Sequence, residues 1–110
     1  MAIIHVVMFE FKPSTELSTI QDACNRMVDL RNQCIHPASK KPYITTSSGG
    51  RQNSSESTKA DYSHAFVVEF ASEEDRKYYV EEDPAHLEFK KSLKGVVERV
   101  GVVDYTPGVY

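Results

Sequence analysis

The sequence lacks tryptophan, has only two cysteines and contains no long hydrophobic run. A membrane-spanning helix needs roughly 20 consecutive apolar residues, and no stretch here approaches that length. Neither sign of charge is in large excess, because 13 basic and 16 acidic residues give a net charge of −3, and the charges are not clustered. Binding to nucleic acid or to an anionic membrane requires a basic stripe. We therefore expect neither kind of partner.

The two cysteines, Cys24 and Cys34, both fall in a segment with helical periodicity, residues 14–35. The helical rise of about 1.5 Å per residue would separate them by roughly 15 Å, whereas a disulfide spans at most about 7 Å. The first residues have no basic region and reach Glu10 too early for a signal peptide. We therefore expect reduced thiols and a cytoplasmic protein in which residues 1–110 form one domain.

Hydrophobic periodicity predicts four strands and three helical segments. The strands are 3–12, 42–48, 62–70 and 96–105, and the helical segments are 14–35, 72–80 and 84–94. The polar stretch 49–61 is predicted to be a long loop. This β-α-β-β-α-β order, with a split second helical region, is that of the ferredoxin-like α+β fold. It predicts an antiparallel four-stranded sheet in the order 4-1-3-2 with helices on one face.

The first strand is apolar on both faces, which bears on the oligomeric state. One face carries Ile3, His5, Val7, Phe9 and Phe11, and the other carries Ile4, Val6 and Met8. Because the helices cover only one side of the sheet, the second apolar side needs another cover. We therefore predict a homodimer in which two sheets pack together as a dimeric α/β barrel.

Three histidines are predicted to face the interior between sheet and helices. His5 and His64 lie on the more apolar faces of two adjacent central strands, and His86 shares a helical stripe with Phe89 and Leu93. One of the preceding tyrosines, Tyr78 or Tyr79, should also point inward. Buried polar groups need partners. The cluster is therefore either a functional site or three histidines that are each satisfied by a carbonyl group or water.

Several kinds of chemistry lack their usual sequence signal. No glycine-rich phosphate loop precedes a helix, no nucleophile elbow is present, and the histidines lack the close spacing of metal ligands. We expect no metal and no organic cofactor, with a haem or metal site through the same histidines as an alternative. Acid–base chemistry remains, because a neutral imidazole exchanges protons near pH 7 and a tyrosine hydroxyl can orient a carbonyl group.

Four segments resemble the stress-responsive dimeric A/B-barrel (Dabb) domain family. They are the opening strand 3–12, Tyr62-Ser63-His64, Asp83-Pro84-Ala85-His86 and Asp104-Tyr105-Thr106-Pro107. Together they span nearly the whole chain. Within this family the sequence is similar to a plant cyclase that closes a linear polyketide by aldol condensation without metal or organic cofactor.

The resemblance implies a role for each candidate residue. His86 matches the general base, His5 and His64 match the other pocket histidines, and Tyr79, or Tyr78, matches the catalytic tyrosine that holds a carbonyl oxygen. We expect the substrate to contact Tyr78, Phe9, Phe66 and Phe89. Two functions remain open: a cofactor-free cyclase or lyase acting on a polyketide-like or other small carbonyl compound, and a non-catalytic stress-responsive dimer that binds an apolar ligand.

Overall fold

A computed structural model describes residues 1–56 and 61–110 of the chain. The elements in chain order are β1 (Ile3–Phe11), α1 (Leu17–Gln33), β2 (Ile44–Arg51), β3 (His64–Phe70), α2 (Glu73–Glu81), α3 (Pro84–Ser92) and β4 (Val97–Tyr105). The strands form one antiparallel sheet in the order β2-β3-β1-β4. The predicted ferredoxin-like fold and strand order are therefore confirmed.

Burial alternates along β1, as its two-faced pattern predicts. Ile3, His5, Val7, Phe9 and Phe11 are buried, whereas the residues between them are only half-buried. The buried face packs against the helices, and we call it the inner face of the sheet. The core between this face and the helices also contains Phe66, Val68, Phe70, Ala23, Met27, Leu30 and Phe89.

The second helical region begins twice, and both starts were predicted. The hydroxyl of Ser72 accepts a hydrogen bond from the backbone N–H of Asp75 and caps α2. Asp83 caps α3, and Pro84 occupies its first position, where no N–H is needed. The helix ends at Ser92, earlier than predicted, and Gly95 takes a positive φ of 82° in the turn that leads to β4.

The ends of β2 and α1 also differ from the prediction. β2 continues through Gly49 and Gly50 to Arg51, so the stretch predicted as a loop, 49–61, begins as paired strand. Residues 57–60 of that stretch lie outside the described residues. Helix α1 ends at Gln33, which leaves Cys34 buried just beyond it rather than in the same helix as Cys24. Both cysteines are free thiols.

Gly49 allows a close approach within the sheet, which explains why a glycine occurs in a strand. A Cβ atom there would overlap the Phe66 ring and lie 2.9 Å from the carbonyl oxygen of Ala65. At the neighbouring Gly50 a Cβ would meet nothing within 4 Å. The glycine pair, which was predicted to begin a loop, therefore includes one position that packing restricts.

We expect Gly49→Ala to lower the free energy of unfolding by about 1–3 kcal/mol, because the added methyl group displaces the buried Phe66 ring. Gly50→Ala is the matched control and should change it by less than about 0.5 kcal/mol, as surface substitutions usually do. Urea denaturation of both variants measures the difference. Equal effects of the two substitutions would contradict the close contact between the Phe66 ring and Gly49.

The opposite, outer face of the sheet carries an apolar strip. Val6 of β1 pairs with Val67 of β3 on one side and with Val103 of β4 on the other. Val67 is 39% exposed, Val103 55% and the nearby Tyr105 50%. No helix in the part of the chain that the structure describes is long and apolar enough to cross a membrane.

Candidate active site

A cavity of about 580 Å³ lies between α3 and the strands β1 and β4. Its walls are mainly apolar, with Val7, Phe9, Met27, Val80, Phe89, Leu93, Val97, Val100 and Val102. Its polar lining residues are His5, His86, Lys90, Lys94, Glu98, Arg99 and Asp104. Ligand pockets in proteins are typically of about this volume and combine apolar walls with a few polar groups.

His86 presents a neutral imidazole to this cavity. Its Nδ1 lies 2.7 Å from the carbonyl oxygen of Tyr79. Because a carbonyl oxygen only accepts, Nδ1 carries the hydrogen and the lone pair of the neutral ring is on Nε2. Burial is the main reason that the pKa of His86 is lowered to about 4; the hydrogen bond to the Tyr79 carbonyl opposes this shift, and the ammonium group of Lys90 contributes to it. The ring is therefore uncharged at pH 7.

The ring of Tyr79 packs against the ring of His86. The two rings stack with centroids 3.8 Å apart and an angle of 17° between their planes. Tyr79 is fully buried and does not line the cavity, and its hydroxyl has no hydrogen-bond partner among the described residues. Burial raises the pKa of this hydroxyl. The ring, rather than the hydroxyl group, is the part of Tyr79 in contact with the site.

Tyr78 points elsewhere. Its ring contacts His36 and Tyr43, with centroids 5.5 and 5.7 Å away, and it does not line the cavity. The structure therefore places Tyr78 outside the cavity in which it was expected to contact the substrate. Adjacent helical residues point about 100° apart, so only one of the two tyrosines can lie beneath His86.

His5 is held by a carboxylate. Its Nδ1 lies 2.6 Å from Oδ1 of Asp104, and Oδ2 of Asp104 lies 3.3 Å from Nη1 of Arg76. An ionised carboxylate only accepts, so Nδ1 of His5 donates and its other nitrogen, Nε2, is not used in this contact. The His5 ring meets the Tyr79 ring edge-on, with centroids 5.7 Å apart. Tyr79 thus contacts both histidines that line the cavity.

Asp104 lies in the candidate site but was not predicted as a site residue. In the sequence it was noted only as part of a segment that resembles the Dabb family. The register pairs it directly with His5, across from β1 to β4. The predicted strand order already placed these strands side by side. An acidic residue on the same face of β4 as Val100 and Val102 was therefore the available signal.

His64 does not join the other two histidines. It pairs with Phe9, four residues along β1 from His5, a distance of roughly 13 Å along the strand. It lines a second cavity of about 280 Å³ beside α1, together with Phe66. His64 therefore does not share a cavity with His5 and His86, contrary to the expectation that the three histidines lie together. Phe66, which was expected to contact the substrate, lines the second cavity with His64. Phe9 and Phe89 do line the larger cavity.

The second cavity gives His64 a different environment. Its Nδ1 lies 2.8 Å from the hydroxyl of Ser63, and its ring meets Phe11 edge-on. Burial lowers the pKa of His64, and the nearby charge of Arg51 lowers it further. Both cavities therefore contain a histidine whose neutral form is favoured.

Asp83 fixes the start of α3 and with it the backbone of His86. Its Oδ1 accepts from the backbone N–H groups of Ala85 and His86 at 2.9 and 3.4 Å. Its Oδ2 accepts from the hydroxyl of Tyr43 at 2.5 Å, and the carboxylate is only 1% exposed. The cap was predictable from the sequence, but Tyr43, 40 residues earlier, was not.

We expect Asp83→Ala to lower the free energy of unfolding by about 3 kcal/mol, because the variant loses a helix cap and leaves the Tyr43 hydroxyl unpaired. Tyr43→Phe should cost about 1 kcal/mol, since the backbone N–H groups still satisfy the carboxylate. Denaturant unfolding at neutral pH measures both. An Asp83→Ala variant as stable as Tyr43→Phe would contradict this role of the cap.

The described residues, 1–56 and 61–110, contain no group of three or more His, Cys, Asp or Glu side chains that could hold a metal ion. His5 and Asp104 form a pair in the larger cavity, and His64 lies apart from them.

Solved structures similar to this one come from plants and bacteria. A protein of Arabidopsis thaliana is 28% identical, with a TM-score of 0.81, and the match covers 98% of this chain and 97% of that one. A hydroxynitrile lyase from Passiflora edulis is 20% identical with a TM-score of 0.81, covering 99% and 96%. A dimeric ferredoxin-like protein from Bacteroides fragilis is 22% identical with a TM-score of 0.64, covering 94% of each chain.

A search of curated proteins found no match. The family model of the stress-responsive A/B-barrel domain, by contrast, matches residues 3–107. That range includes all four strands, the three helices and every residue described above as lining the larger cavity. The chain therefore belongs to the stress-responsive A/B-barrel (Dabb) family.

Proposed function

We propose that this protein is a cofactor-independent acid–base enzyme that acts on a small, largely apolar carbonyl compound. The observation that carries the proposal is the neutral imidazole of His86, whose Nδ1 is fixed on a carbonyl oxygen, in the wall of a cavity of about 580 Å³. The hydroxynitrile lyase with the same fold agrees with such chemistry. A polyketide cyclase or a lyase is the kind of enzyme that this site would suit.

His86 is the general base in this proposal. Its Nε2 takes a proton from the carbon next to the carbonyl group, and the electron pair of the broken C–H bond forms the enolate. Nδ1–H stays on the Tyr79 carbonyl throughout, which keeps the ring in position. The charge that forms on the imidazole lies over the face of the stacked Tyr79 ring, an arrangement that favours cations.

His5 is the second proton carrier. Its Nδ1 is fixed on Asp104, whose carboxylate balances the charge of the ring whenever Nε2 also carries a proton. Nε2 of His5 donates that proton to an oxygen of the substrate. In a ring closure, the enolate carbon forms a C–C bond to a second carbonyl carbon, and the oxygen of that group takes the proton. The substrate thus loses one proton from carbon to His86 and gains one on oxygen from His5, and no electrons are lost or gained. Exchange with solvent then removes the proton from His86 and restores the one on His5.

We also propose that the protein is a homodimer in which the outer faces of two sheets pack together. The apolar strip formed by Val6, Val67 and Val103 is the feature that requires a cover. The Bacteroides fragilis protein with the same fold is described as dimeric. A second copy of the chain presents a matching strip to the first, as two-fold symmetry demands.

A second function, binding of an apolar ligand without turnover, is favoured by one observation. The Tyr79 hydroxyl is buried, has no hydrogen-bond partner within residues 1–56 and 61–110, and does not line the cavity, so it cannot hold a substrate oxygen there. A base with a pKa of about 4 is also weak. The apolar walls alone would then bind the ligand.

Exchange of hydrogen for deuterium separates the two functions. The protein is incubated in D₂O with 2-octanone, and ¹H NMR follows the signals of the hydrogens next to the carbonyl group. Exchange faster than in matched buffer supports the enzyme, because it reports proton removal without requiring the natural substrate. Saturable binding of 2-octanone without faster exchange overturns the enzyme proposal and supports the ligand-binding function.

A further inference from the structure

Two lysines stand at the mouth of the larger cavity. Lys90 lies on α3, four residues after His86, and Lys94 lies in the turn that follows the helix. Both line the cavity and are otherwise exposed, whereas Lys91 between them does not line it. The helical rise puts the backbone of Lys90 roughly 6 Å from that of His86 along the axis. Lys90 therefore follows the proposed base by one helical turn, on the same side of the helix.

Two of the other charged groups that line the cavity already have ion-pair partners. Asp104 is paired with His5 and Arg76. Arg99 is paired with Glu10 and Asp61 at 3.1 and 3.0 Å. Among the described residues, neither Lys90 nor Lys94 has a carboxylate within 4 Å, and Glu98 is the remaining acid that lines the cavity. The mouth is therefore positively charged above apolar walls.

The charge of Lys90 affects His86 inside the cavity. This charge helps to lower the pKa of His86, as expected for a cation one helical turn away. An anion bound at Lys90 would therefore lie close to the reacting atoms. The apolar chain of such a ligand would extend along Phe9, Phe89 and the valines of β4, which line the same cavity.

We propose that the ligand of this cavity carries an anionic group, held by Lys90 and Lys94, on an apolar chain that fills the interior. The inference deepens the proposed function, on which it rests for the use of this cavity, by assigning the substrate class: an anionic acyl compound whose reacting carbonyl lies a few bonds from its charged end. A carboxylate and a phosphate share this chemistry, since both accept hydrogen bonds from ammonium groups.

Calorimetric titration of the full chain with octanoate, octyl phosphate and 1-octanol tests the proposal. The three probes share a chain length and differ in the head group. We expect the better of the two anions to bind at least about tenfold more tightly than 1-octanol, a difference of about 1.4 kcal/mol. The anion that binds more tightly identifies the head group as carboxylate or phosphate. Equal binding of 1-octanol and both anions overturns the proposal.

Three substitutions locate the effect. Lys90→Gln and Lys94→Gln should each reduce the preference for the anion, while Lys91→Gln, the matched control on the same helix, should keep it. All three residues are exposed, so the fold should tolerate each change. If Lys91→Gln reduces the preference for the anion equally, the attraction is a general effect of surface charge, and the proposed anion site is wrong. Because these probes lack a ketone, this result is independent of the exchange experiment with 2-octanone, and the two proposals can fail separately.

Discussion

Replacing His86 with glutamine is expected to slow the deuterium exchange of 2-octanone by about 10²–10⁴-fold, the usual contribution of a general base. The NH₂ group of the glutamine amide can replace Nδ1–H and still donate to the Tyr79 carbonyl. The amide cannot take a proton from the substrate. Binding of 2-octanone should therefore change by less than about threefold while exchange is lost. NMR measures exchange, and calorimetry measures binding on the same samples.

His36→Gln is the matched control for this substitution. His36 packs against Tyr43 and Tyr78, and it does not line the larger cavity. We expect its exchange rate to equal that of the unmodified protein. If His86→Gln exchanges as fast as His36→Gln, the base is another group, and His5 with its Asp104 partner becomes the candidate.

Replacing Val103 with glutamate is expected to convert the dimer into a monomer at micromolar concentration. Val103 is 55% exposed in the single chain, so the charge remains hydrated in a monomer and the fold is retained. In a symmetric dimer the substitution occurs twice, and each buried carboxylate without a partner costs several kcal/mol. Light scattering after size exclusion should give 12.4 kDa for the variant and twice that mass for the unmodified protein.

Val102→Glu provides the control in the adjacent position of the same strand. Val102 is similarly exposed, at 54%, but it pairs with Val7 on the inner face and lines the cavity. The same change of residue therefore tests the opposite side of the sheet. We expect Val102→Glu to remain dimeric. A monomeric unmodified protein, or dissociation by both variants alike, contradicts dimerisation through the outer face.

Local sequence patterns predicted most of the fold because each depends on neighbouring residues. The alternation along β1 identified its two faces, and Ser72 and Asp83 marked the starts of α2 and α3. Gly49 was misinterpreted because its role depends on the ring of Phe66, which lies on another strand. A glycine that permits close packing has the same local sequence signal as a glycine in a turn.

The candidate site was only partly predictable for the same physical reason. Periodicity assigns a residue to a face but does not give its position along the strand, so His64 was grouped with His5 although it lies about four residues away in register. The Tyr43–Asp83 contact joins residues 40 positions apart. His86 was placed correctly on the inward stripe of its helix, but its stacking on Tyr79 required the three-dimensional arrangement.

The protonation of His86 tests the central claim most directly, because the proposed chemistry requires a neutral imidazole with its lone pair on Nε2. Two-dimensional ¹H–¹⁵N NMR of the histidine side chains reports both the tautomer and the titration of each ring. We predict a pKa of about 4 for His86 and a hydrogen on Nδ1 at neutral pH. A ring that stays protonated at neutral pH, or a hydrogen on Nε2 in the neutral ring, would contradict the proposed active site.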